Sequence, residues 1–167
     1  MASETMLNER ADREGNARMA TSLALLTLRL VLGWTFIYHG GQKLFGWFDS
    51  PVTMEQFSQM MGQTMPVLPG AVWAYMAACG EFFGGLFVLI GLLTRLAALP
   101  ILVTMFVAIW KVTGAGGFSL PKGYEFNLAL IAMAAALLLA GPGIVSLDAL
   151  IFKRGLWARG PQPMKLP

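Results

Sequence analysis

Residues 71–93 read AVWAYMAACGEFFGGLFVLIGLL, an apolar run with one charge, Glu81, near its midpoint. The run is long enough to cross a bilayer, because the core needs about 20 apolar residues at about 1.5 Å per residue. A carboxylate at that depth is costly unless it is protonated, paired or turned to a polar interior. Since Gly80, Gly84 and Gly85 leave room for another backbone nearby, we predict that Glu81 faces neighbouring helices and not lipid.

The composition of the whole chain is that of a small membrane protein. Of its 167 residues, 56% are hydrophobic and 13% are charged, and the mean hydropathy is +0.63. These values exclude a soluble globular domain and a disordered chain, and they predict one polytopic membrane domain. No small-residue cleavage site follows the first apolar segment, so we expect that segment to remain as an anchor and not to be removed as a signal peptide.

Single residues exclude several functional classes. The one cysteine, Cys79, cannot form an internal disulfide, which excludes enzymes that work through a CxxC pair. The one histidine, His39, cannot supply both axial ligands of a haem. Lys and Arg are spread over tails and loops, so nucleic-acid binding is not expected. We therefore predict that this chain alone binds no metal, haem or flavin.

The apolar segments predict an all-α fold, an integral membrane four-helix bundle. The predicted membrane helices run over residues 20–38, 71–93, 96–112 and 125–140. In the first loop, Asp49, Ser50 and Pro51 are typical of a helix start. The segment that follows has Met54 and Phe57 on one side, which predicts a short amphipathic periplasmic helix lying as a lid over the mouth of the bundle.

The charge distribution predicts the orientation of the chain. Eight Lys and Arg residues belong to the N-terminal tail, the turn at 94–95 and the C-terminal segment, against three in the other two loops. This asymmetry places both termini in the cytoplasm of a bacterium, with the protein in the inner membrane. We divide the chain into a flexible cytoplasmic tail (1–19), a four-helix domain (20–145), and an interfacial helix with a cytoplasmic tail (146–167).

A second intramembrane charge, Arg29, lies near the centre of the first predicted helix. Arg29 and Glu81 each lie about ten residues from a predicted helix end, so both are expected at the same depth. We therefore predict an energetically coupled Arg29–Glu81 ion pair that fixes the helix register.

The other interpretation of the intramembrane charges is a ligand pocket open toward the periplasm. A quinone there would need hydrogen-bond donors for its carbonyl oxygens, a proton acceptor and an apolar slot. Arg29 and His39 are the expected donors and Glu81 or Glu125 the acceptor. The candidate ligand-binding residues are Arg29, His39, Lys43, Glu81, Lys111 and Glu125, and no catalytic residue is predicted. The expected slot is lined by Trp34, Phe36, Phe82 and Phe83.

The methionines of the first loop allow a further interpretation. Thioether sulfurs are soft ligands that suit Cu(I). Methionines at helical spacing more commonly serve packing, which is the interpretation we adopt. They are Met54, Met60, Met61 and Met65.

Three stretches together resemble the DoxX family of small four-helix membrane proteins. They are the Arg29 helix leading into HGGQKLFGWF (39–48), GEFFGGLFVLIGLLTRLAAL (80–99) and KGYEFNLALIAMAAALLLAGPGIVSLD (122–148). The stretches occur in the family's order. The positions that match its pattern are Arg29, Gly33, His39, Gly40, Lys43, Glu81, Gly85, Gly91, Arg95, Glu125, Gly141 and Asp148.

The resemblance implies a redox context, because the family takes its name from a small subunit associated with quinone-linked thiosulfate oxidation. One hypothesis is therefore a quinone-interacting or redox-associated subunit of an electron-transfer or thiol/oxidant-handling complex, at most one part of a quinone-linked oxidoreductase. The alternative is a non-enzymatic membrane scaffold or small permeation protein. The expected partners are the lipid bilayer and other membrane or peripheral redox subunits, and a homo-oligomer is left open.

Overall fold

The computed structural model describes residues 2–152, which are all-helical with connecting turns, as the sequence predicted. The α-helices of this range are α1 (Ala2–Phe45), α2 (Met54–Thr64), α3 (Gly70–Ile90), α4 (Thr94–Ala108), α5 (Glu125–Ala140) and α6 (Leu147–Ile151). After α4 the chain continues through a π-helical turn, Ile109–Thr113, and a 3-10 turn, Gly114–Gly116.

Three helical stretches of the described chain are long and apolar enough to cross a membrane. They are Glu4–Phe45, Gly70–Ile90 and Thr94–Gly116. The apolar helix α5 has 16 residues. Its length is about 24 Å, against about 30 Å for a bilayer core. Long apolar helices are therefore confirmed, whereas a bundle of four membrane spans stays a prediction.

Helix α1 extends beyond both ends of the predicted first segment. Residues 2–19, for which a flexible tail was predicted, belong to the same helix, and residues 4–21 are exposed. The flexibility of this part in solution stays a prediction. At the other end the helix passes the predicted end at Tyr38 and continues to Phe45. This extension places His39 and Lys43 on the helix that packs along α3.

The most extensive helix contact is the antiparallel packing of α1 against α3. A Cβ atom at Gly33 would lie 2.8 Å from the Gly85 carbonyl oxygen, and one at Gly40 would lie 2.5 Å from the Phe82 nitrogen. Glycine is therefore needed at both crossings. Helix α4 packs against α3 and α5, and α5 also contacts α1. The core between these helices includes Leu32, Phe36, Val88, Ile101 and Leu137.

Helix α2 is the helix predicted for the first loop. A capping box starts it: the Thr53 hydroxyl accepts from the Gln56 N–H, and the Gln56 side chain accepts from the Thr53 N–H. Phe57 and Met61 are buried against Ala74 of α3. The loop thus folds back onto the helix that carries Glu81, while its periplasmic location stays a prediction.

The helix predicted at the C-terminal end is seen only in part. Ser146 caps α6 by accepting from the Ala149 N–H. The rest of the predicted interfacial helix and tail, including Lys153 and Arg154, lies outside the described residues.

The α1–α3 contact generates a stability prediction. Gly85→Ala should lower the free energy of unfolding by about 1–3 kcal/mol, because its methyl group would meet the backbone of α1 at 2.8 Å. Gly15→Ala is the matched control, since nothing lies within 4 Å of that position. Thermal unfolding in detergent measures both, and equal melting temperatures for the two variants would contradict the close packing.

Candidate ligand-binding site

Arg29 does not pair with Glu81, and that prediction was wrong. Its Nε and Nη2 atoms donate to the carbonyl oxygens of Val88 and Leu89 at 3.0 and 2.9 Å. The reason is the helix register. Because Gly40 lies against Phe82, Arg29 is about eleven residues, or roughly 16 Å, from the level of Glu81.

The surroundings of Arg29 give it a structural role. Its Nη1 atom donates to the carbonyl oxygens of Pro142 and Val145 at 3.0 and 2.5 Å. The last carbonyl groups of a helix have no N–H partner within that helix. Arg29 donates to two carbonyl oxygens at the end of α3. Gly91 has φ +72°, and a Cβ atom there would lie 2.5 Å from Arg29 Nη2. Arg29 therefore ties the end of α3 to the 142–145 segment.

Glu81 instead forms a buried ion pair with Lys43. The Lys43 Nζ lies 2.6 and 2.5 Å from the two carboxylate oxygens. The Glu81 side chain is 3% exposed and the Lys43 side chain is 27% exposed. Lys43 Nζ also lies 5.0 Å from the ring centroid of Phe57, within cation–π distance. One ammonium group thus contacts both the carboxylate of α3 and an aromatic ring of α2.

A cavity of about 670 Å³ opens beside this ion pair. Its volume is within the ~300–1,000 Å³ typical of ligand sites. Helix α2 forms part of the wall with Phe57, Met60 and Met61, the position expected of a lid. Most of the lining is apolar, and flexible methionine side chains can adapt to a ligand. The cavity can therefore accommodate an apolar molecule with a polar head.

The structure separates the six candidate residues into two groups. His39, Lys43 and Glu81 line the cavity. The other three candidates do not belong to its lining in the described chain. Lys111 lies over the Trp110 ring at 3.8 Å, and Glu125 accepts from the Leu120 N–H at 2.8 Å. Of the expected aromatic slot, Phe36 contributes to the cavity, whereas Phe82 packs against Phe45 and Trp47.

Several lining residues were missed by sequence analysis. Those with polar side chains are Gln42, Ser50, Trp73, Thr104, Thr113 and Asn127. Gln42 Oε1 lies 3.2 Å from His39 Nδ1. Asn127 could have been noticed, because it is a polar amide inside an apolar segment. Burying such an amide is costly unless it has a partner or a function. No comparable signal marks Thr113, which reaches the cavity from the π-helical turn.

The family model for DoxX matches residues 24–114. The chain is 30% identical over 142 residues to an uncharacterized membrane protein of Mycobacterium tuberculosis, covering 78% of this chain and 83% of that protein. It is 31% identical over 131 residues to a Bacillus subtilis protein named "Putative oxidoreductase CatD", covering 78% and 89%. An uncharacterized protein of Haemophilus influenzae is 26% identical over 138 residues, covering 81% and 87%. No solved structure is significantly similar.

The Lys43–Glu81 pair generates a coupling prediction. Lys43→Met should lower the free energy of unfolding by about 3 kcal/mol, because Glu81 is left buried without a counter-charge. The double change Lys43→Met/Glu81→Leu should recover most of that loss. Lys111→Met is the matched control and should change stability little, since Lys111 is exposed. Unfolding measurements on the parent protein, Lys43→Met, Glu81→Leu and the double variant form the test, and strictly additive single-variant losses would exclude the coupling.

Arg29 should behave differently from Lys43. Arg29→Lys keeps the charge but cannot reach four carbonyl oxygens, so we expect a loss of at least about 2 kcal/mol. Arg18→Lys, on the exposed part of α1, should have no effect. A melting temperature for Arg29→Lys equal to that of the parent protein would argue against the structural role.

Proposed function

The chain belongs to the DoxX family of membrane proteins, and from this we propose that it spans the bacterial cytoplasmic membrane with both termini in the cytoplasm. In this proposal α1, α3, α4 and α5 form the membrane bundle, and α2 lies at its periplasmic end. The asymmetry of Lys and Arg between the two sides supports this orientation.

We further propose that the cavity binds a quinone-like molecule and that the protein is a quinone-interacting or redox-associated subunit of an electron-transfer or thiol/oxidant-handling complex. The observation that carries the proposal is a buried ion pair opening on a largely apolar cavity of about 670 Å³. An intramembrane charge is a candidate functional group because burying it in an apolar environment is costly. One relative, CatD of Bacillus subtilis, is named as an oxidoreductase, which agrees with a redox context.

Lys43 is suited to hold the polar head of such a molecule. An ammonium group has three donors, and Glu81 accepts from Lys43 through two oxygens. The third N–H is then left for a carbonyl oxygen of the ligand. Glu81 fixes the position of the ammonium group, and Met60, Met61 and Phe57 contact the apolar body. A bound quinone would carry electrons between partner subunits, and this chain would hold and orient it.

Binding of a short-chain ubiquinone to the detergent-solubilised protein tests the proposal. Quenching of tryptophan fluorescence reports occupancy, because Trp73 lines the cavity. The double variant Lys43→Met/Glu81→Leu lacks the polar head site and no longer buries a charge, so it should fold and bind about 10- to 100-fold more weakly. Lys111→Met should bind as the parent protein does.

The opposite result favours the alternative function. If ubiquinone neither binds nor raises the melting temperature of the purified protein, the redox-associated proposal fails. Leakage of small solutes from liposomes containing the protein would then support a permeation protein, and tight vesicles would support a scaffold.

A further inference from the structure

We propose that the cavity has a second polar end, formed by Asn127 and Thr113, which selects flat ligands with two hydrogen-bonding oxygens on one ring. The inference rests on the proposed function, because it specifies the ligand class of the same cavity. The first polar end is the Lys43–Glu81 pair on α1 and α3. The second lies on α5 and the π-helical turn after α4, and both ends line one cavity.

Among the described residues, the hydrogen-bond partners of the Asn127 side chain are weak. Its Oδ1 lies 3.4 Å from the Thr113 hydroxyl, and its Nδ2 lies 3.4 Å from the Met105 sulfur. A strong O–H···O bond is about 2.7–2.8 Å long, so the bond from the Thr113 hydroxyl is weak, and a thioether is a weak acceptor. An amide so weakly paired in apolar surroundings gains free energy when a ligand oxygen supplies a better partner. The Asn127 amide is therefore available as a donor.

The π-helical turn places Thr113 beside this amide. The Thr113 hydroxyl lies 3.4 Å from the Ala108 carbonyl oxygen, five residues back in the chain. One extra residue in a helix turns every following side chain by about 100° relative to a regular α-helix. Such turns are frequent at functional sites. Here the turn brings a hydroxyl into the cavity wall next to Asn127.

Donors at two ends of one cavity specify the ligand. Lys43 donates at one end and Asn127 at the other, so the best ligand carries two acceptors joined by an apolar body. A 1,4-quinone has this form, with two carbonyl oxygens on opposite edges of one ring. An analogue with one carbonyl leaves Asn127 without a new partner, and sites built for hydrogen bonds reject such analogues.

The test compares a two-carbonyl compound with a one-carbonyl compound. We choose 2,3-dimethyl-1,4-naphthoquinone, whose substituted ring does not add the thiol of Cys79, and 1-tetralone. The parent protein should bind the quinone at least about five- to tenfold more tightly, the usual effect of one hydrogen bond. Asn127→Leu should bind the quinone more weakly by the same roughly five- to tenfold factor, and its affinity for 1-tetralone should be unchanged.

Two further variants make the outcome decisive. Asn8→Leu, on the exposed part of α1, is the matched control and should change neither affinity. If Asn127→Leu does not fold, Thr113→Val is used in its place. Thr113→Val should reduce the affinity for the quinone and not the affinity for 1-tetralone. If Asn127→Leu lowered the affinity for both compounds equally, Asn127 would have a structural role only, and the proposal of a second polar end would be wrong. Tight quinone binding without preference over 1-tetralone would overturn it while leaving the proposed function intact. If the parent protein binds neither compound, both proposals fall.

Discussion

The close antiparallel packing of α1 on α3 is the constraint on which the rest of the molecule depends. Gly33, Gly40 and Gly85 allow the two backbones to approach within a distance that leaves no room for a side chain. Contacts this close fix the register, since sliding one helix would bring larger side chains into the same space. The register alone decides that Lys43 meets Glu81 and that Arg29 meets the end of α3.

Arg29 and Lys43 both bind buried partners, but their own side chains differ in exposure. Arg29 is 2% exposed, and its guanidinium donates to four carbonyl oxygens of α3 and the 142–145 segment. Lys43 is partly exposed, has one carboxylate partner and borders a cavity. Arg29 thus ties α3 to the 142–145 segment, whereas Lys43 lies beside the cavity.

Much of the fold was predictable because apolar length and capping residues are local properties of the sequence. The apolar helices, a short helix in the first loop and the inward position of Glu81 followed from such patterns. That short helix, however, starts at Met54 after the cap residue Thr53 and not at residues 49–51 as predicted. The ion pair did not follow from such patterns, because the apolar run stops near Tyr38 while the helix continues through His39 to Phe45. Hydropathy does not distinguish a polar helical turn from a loop. The pairing of Asn127 with Thr113 depends on a π-helical turn, which leaves no periodic pattern in the sequence.

Lys43 contacts α3 and α2 through two different interactions, an ion pair with Glu81 and a cation–π contact with Phe57. The ion pair joins α1 to α3, whereas α2 is attached through the ring of Phe57 and the burial of Met61. Displacing α2 would therefore remove a cation–π contact worth about 0.5–1 kcal/mol and some apolar burial, while Glu81 kept its counter-charge. In the proposed function, ligand exchange past α2 would then need no transient unpaired charge. Changes to the apolar face of α2 can therefore, in that function, alter ligand exchange without disturbing the charge balance between Lys43 and Glu81.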